Sequence, residues 1–115
     1  MDFTFTNQLH YLIHFVDGEY VAHCLDMDLV GTGKNKSDAI EELNTAVRAV
    51  VFLALKTENA ANQLFWKKAP KRYYSMFEKA KAQSGTETRT LKVDAKLSPV
   101  LVNQCHLMYC MAVAA

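Results

Sequence analysis

Four histidines, three cysteines and twelve carboxylates are the residues of this 115-residue chain whose chemistry could be put to use. His10 and His14 stand four apart in a stretch where apolar residues alternate. On a strand they would share a face about 13 Å apart, too far for one metal ion. If Asp17-Gly18 is a two-residue turn, His23 falls on that same face, opposite Leu12 and diagonal to both histidines. At most a pair of imidazoles could meet there. A face mixing histidine with Leu12, Val21 and Leu25 suits contact with a partner or a second subunit better than a metal. His10, Leu12, His14, Val21 and His23 are therefore the candidate contact residues.

The carboxylates give no catalytic set. Two-metal phosphoryl chemistry needs acids converging on ions about 3.5–4 Å apart. Asp26 and Asp28 flank a turn, and Asp38, Glu41 and Glu42 open a helix, where acids offset the helix dipole. Cys105 and Cys110 are five apart, which on a strand means opposite faces, so they read as buried thiols rather than a metal or redox pair. Gly31-Thr32-Gly33-Lys34 lacks both the glycine spacing of a phosphate loop and a hydroxyl residue after its lysine. The expectation is a protein that is not an enzyme, with no catalytic or metal-ligating residue and no cofactor.

One basic stretch qualifies as a nucleic-acid candidate. Residues 66–81 hold six bases, one acid and four aromatics, a mixture that can grip phosphates and stack bases. Helical spacing gives a different reading, with Tyr73, Met76 and Phe77 inward and Lys71, Arg72, Lys79 and Lys81 as a solvated face. The second reading is the one adopted.

The elements that must position these residues follow from periodicity. Residues 8–25 read as a hairpin with paired positions summing to 35, which sets Phe15 opposite Tyr20, Ile13 opposite Ala22 and Tyr11 opposite Cys24 on a core face. Asp28 to Gly33 is a third strand whose two glycines predict a bulge, an edge or an early end. Ser37 is the expected N-cap of a helix from Asp38 to about Thr57, with Ile40, Leu43, Val47, Val50 and Ala54 as its apolar stripe. Its second half is apolar nearly all round and must be covered on more than one side, by the later helical segment or by another subunit. The chain stays helix-compatible from 58 to 68, and a further helix runs from Pro70 to about Gln83 with Gly85 as its stop. Residues 87–97 and 100–113 return to strand period.

The expected fold class is α+β, an antiparallel sheet starting with a hairpin in the order β-β-β-α-α-β-β, with a helix packed on one face. A chain of 115 residues fits one domain, divided into a β-β-β-α unit at 8–57 and a helical segment with C-terminal strands at 58–115. No apolar run is long enough for a membrane span, the first residues carry no secretory pattern, and an odd cysteine count suits a reducing compartment. Cytoplasmic localisation without membrane association is the expectation. The net charge of +1 conceals an asymmetry: residues 1–66 carry nine acids and four bases, residues 67–115 nine bases and three acids. An acidic front half suits a basic partner.

The run from Asp17 to Leu43, DGEYVAHCLDMDLVGTGKNKSDAIEEL, resembles the N-terminal domain of HicB-family antitoxins. Matching positions are Gly18, Tyr20, Val21, Ala22, Cys24, Asp26, Gly33, Ala39, Glu42 and Leu43, and the likeness extends over about residues 8–55. It implies a partial RNase H-like fold with a helix on one face of the sheet, and assembly into dimers or higher oligomers. It also implies occlusion of a small basic toxin, an RNA-cleaving protein, by steric blocking. The C-terminal half matches neither a ribbon-helix-helix nor a helix-turn-helix pattern. The alternative is therefore an orphan HicB-like homo-oligomer with neither toxin-neutralising nor DNA-binding activity.

Overall fold

A computed structural model describes residues 2–4, 8–55, 68–96 and 102–114. Its elements are β1 (Asp2–Thr4), β2 (Leu9–Val16), β3 (Glu19–Cys24), β4 (Leu29–Gly33), α1 (Lys36–Leu55), α2 (Lys71–Ser84), β5 (Glu87–Lys96) and β6 (Val102–Val113). The α+β class holds. The expected helix-compatible stretch 58–68 lies outside the described residues except for Lys68, as do the expected helix end at Thr57 and strand end at Leu97.

The hairpin has the register its turn dictates, with Tyr11 opposite Cys24, Ile13 opposite Ala22 and Phe15 opposite Tyr20. Asp17 and Gly18 both take positive φ, 51° and 84°, as a two-residue turn compatible with strand twist requires. β3 pairs antiparallel with β4, which is an edge strand ending at Gly33.

The sheet is mixed, which corrects the antiparallel expectation. β6 lies between β2 and β5, parallel to β2 and antiparallel to β5. β1 also pairs parallel with β6, through Asp2–Gln104 to Thr4–His106, on the edge that β5 leaves open. Strand period reveals strands but not their neighbours. A parallel neighbour reached through two helices is invisible to it.

Each helix takes one face. α1 packs Ala39, Ile40, Leu43, Val47 and Val51 on Leu9, Tyr11, Ile13, Ala22 and Cys24, together with Leu91, Val93, Leu107, Tyr109 and Met111. Its stripe differs slightly from expectation, since Val50 is only half-buried and Ala39 and Val51 join instead. α2 packs Phe77 and Ala80 on Leu12, Leu25, Cys110 and Ala112 of the opposite face. With about 25 cal/mol gained per Å² of apolar surface buried, these two layers are the main source of stability.

The glycines of β4 explain how close α1 can come. A Cβ on Gly31 would collide with the backbone N of Leu43, and one on Gly33 would sit 2.6 Å from the backbone N of Ala39. The helix backbone lies directly on the strand. The N-cap is Asn35 rather than Ser37: its Oδ1 accepts the Asp38 N–H at 2.8 Å, and its Nδ2 donates to the Asp38 carboxylate at 3.2 Å. This reciprocal arrangement starts the helix two residues earlier than expected. Pro70 precedes α2, and Gly85, at φ 74°, donates its N–H to the Lys81 carbonyl to end it.

Candidate functional site

The predicted contact face is where α2 docks. The β3–β4 turn folds Asp26 and Asp28 back over the sheet, and each meets a histidine. Asp26 accepts the His10 backbone N–H at 2.6 Å and lies 3.1 Å from His10 Nδ1. Asp28 Oδ1 lies 2.7 Å from His23 Nε2. Leu25, in the same turn, donates its N–H to the His10 carbonyl, and its own carbonyl accepts from the Ala69 N–H at 2.8 Å and the Tyr74 hydroxyl at 2.9 Å. A single peptide carbonyl thus ties the start of α2 to the sheet. The Phe77 and His10 rings meet in a T-shaped arrangement, as do Tyr73 and His23, with ring centroids 5.2 and 4.8 Å apart.

The five predicted contact residues therefore separate into three groups. Leu12 and His23 are buried beneath the chain's own α2. His10 is half-buried against Phe77 and held by Asp26. His14 and Val21 stay half-exposed, facing each other across β2 and β3. With Val16, Val30, Arg72 and Tyr73 they line a cavity of about 380 Å³ between the sheet and the start of α2. Val16 and Val30 are 41 % and 48 % exposed, an apolar rim on an otherwise solvated strand surface.

Electrostatics set the two outer histidines apart. The hydrogen bond to Asp26 raises the pKa of His10, against the opposing effect of burial, with the Asp26 charge adding to the rise. Glu78 of α2 acts in the same direction and Lys81 against it. His14 is lowered, chiefly by burial and further by the charge of His23.

Sequence reasoning missed a polar network on the other face. The Tyr11 hydroxyl donates to Asn44 Oδ1 at 2.8 Å, Asn44 Nδ2 donates to the Tyr109 hydroxyl at 3.4 Å, and the two tyrosine rings stack with centroids 4.3 Å apart. All three residues are buried. Burial raises the Tyr11 hydroxyl pKa strongly and pushes the Cys24 thiol up to about 12. Asn44 sits one position from Leu43 on the buried side of α1, and an amide placed there was the available signal.

Among the described residues, no three His, Cys, Asp or Glu side chains form a metal-binding group, and no helix is long and apolar enough to cross a membrane. Cys110 is a buried thiol, while the side chain of Cys105 lies outside what is described. In α2, Lys71, Arg72, Lys79 and Lys81 are exposed, Phe77 is buried, and Tyr73 and Met76 are half-buried. The chain has no significant match among protein-family models, curated proteins or solved structures.

Proposed function

We propose that this chain is a HicB-like protein-binding domain, acting by steric occlusion of a small, basic, RNA-cleaving partner. One observation carries most of the reading. Gly18 lies in the hairpin turn at positive φ and Gly33 lies beneath the first turn of α1, a placement that supports the reading. The β-β-β-α unit spanning β2 to α1 is the local architecture the resemblance implies.

The surface best suited to such a partner is the open part of the predicted face, the rim formed by Val16, Val21 and Val30 with His14 and Arg72. Apolar residues ringed by polar ones make a recognisable contact surface, and the exposed Asp17 and Glu19 at the hairpin tip favour a basic protein beside it. The test is pull-down of the tagged chain from its native host, followed by co-expression with any small basic protein it captures and an RNA-cleavage assay. A stable complex that suppresses cleavage is expected, and Val21→Glu should weaken it about tenfold or more. A pair that neither co-purifies nor shows inhibition would overturn the reading.

The orphan alternative also has an observation in its favour. The described part of the C-terminal half is built into the sheet, with β6 between β2 and β5 and α2 on its outer face. Homo-oligomerisation without toxin binding would favour that alternative.

A further inference from the structure

We propose that a cleft beside the start of α1, on the sheet face away from α2, binds a small organic monocarboxylate with an apolar body. The cleft holds about 460 Å³, within the roughly 300–1,000 Å³ usual for small-molecule sites. Topology makes it. The first turn of α1 lies on Gly33 at the β4 edge, whereas β5 begins beyond β2 and β6 on the other side. The gap between the helix start and β5 is floored by the buried side chains of Ile13, Ile40 and Met111. Its rim is polar, with Lys36 and Ser37 on the helix side and Thr86, Glu87 and Arg89 facing them.

The charges on this rim choose the ligand. Glu87 Oε1 accepts from Arg89 Nε at 3.2 Å and from a terminal guanidinium nitrogen at 3.1 Å, so one carboxylate answers one guanidinium. Lys36 forms no ion pair among the described residues, which leaves the rim with one positive charge in surplus. The dipole of the 20-residue α1 adds positive potential at the same end. Ser37 does not cap the helix, because Asn35 does, and its hydroxyl stands on the rim instead.

Arg89 is also held in place from beneath. It stands opposite Tyr109 in the β5–β6 register, and after Glu87 the Tyr109 hydroxyl supports its charge as well. That hydroxyl accepts from Asn44, and both residues are buried. The guanidinium is thus tied to the core network before any ligand arrives.

A single surplus charge suits a monoanion. The apolar floor disfavours a small, fully hydrated ion such as phosphate, whose lost water it cannot replace. A carboxylate matches the planar donors of Arg89, and an apolar body of roughly eight to ten carbons fills the remaining volume. This cleft and the Val16, Val21 and Val30 rim lie on opposite faces of the sheet, so the proposal does not depend on the partner reading.

The test is titration of the full chain with octanoate, followed by amide NMR. Saturable shifts are expected at Ser37, Thr86 and Met111, with Kd about 1 mM or tighter. Octanol, equal in length but neutral, should bind about tenfold more weakly or worse. Arg89→Gln should weaken octanoate binding about tenfold and Lys36→Gln about threefold, each with an unchanged circular dichroism spectrum. Arg48→Gln, which removes a cation of α1 outside the cleft, should bind as wild type does. Absence of saturable shifts, shifts confined to other surfaces, octanol binding as tightly as octanoate, or full affinity in both rim variants would overturn the proposal.

Discussion

At the scale of single residues, the two outer histidines oppose each other as pH changes. His10, raised from 6.5, binds its proton more tightly in the folded chain than in the unfolded one. Its contribution to stability is full below the unfolded value and is lost as pH rises through the folded value. His14, lowered from 6.5, resists its proton when folded, so acidification below that value costs stability. Removing the partner of His10 should therefore do more harm in acid than in base. Urea denaturation of Asp26→Asn is expected to show a larger deficit at about pH 5 than at about pH 8, with the His10 titration midpoint moved down in the NMR spectrum. An equal deficit at both values would contradict the assignment. The Tyr11–Asn44 pair is sensitive for a different reason. Tyr11→Phe strands the buried Asn44 carbonyl oxygen and should cost about 1–3 kcal/mol, and adding Asn44→Leu should recover part of that loss.

At the scale of elements, contact between α1 and β4 is the constraint that tolerates least change. Gly31→Ala drives a methyl into helix backbone, which cannot swing aside as a side chain can, and should cost about 3 kcal/mol or more. Gly18→Ala meets nothing within 4 Å and bears only the strain of its positive φ, about 1–2 kcal/mol. Comparing the two urea midpoints checks the ordering. These glycines also mark how far local reasoning reaches. Hairpin register was legible because Asp17-Gly18 fixes it within the segment itself. The glycines of β4 were legible as an edge and an end, but their reason, a helix backbone pressed on the strand, needed the partner's position. Asn35 and Ser37 are both good caps, and only the direction of the Asp38 N–H separates them. β1 is three residues long and exists through its pairing with β6, about a hundred positions away. The candidate face was legible by alternation, yet nothing local joins Leu12 to Phe77 or brings Asp26 and Asp28 over His10 and His23.

At the scale of the whole molecule, the uneven charge along the sequence becomes an uneven surface. The acidic front half supplies the hairpin, β4 and α1, while the basic back half supplies α2 and β5. The position of β6 has a further consequence, for synthesis. It fills the middle of the sheet, and its partner on β2 is a hundred positions earlier, Leu9 against Tyr109. At about 5–20 residues per second, a ribosome that has released β2 needs roughly 5–20 s more to deliver β6. Until then Leu9, Tyr11 and Ile13 lie on the β2 arm of a hairpin able to form early, with that arm's other edge unpaired. The risk of aggregation is therefore greatest on the ribosome, and it depends on translation speed rather than on the stability of the finished fold.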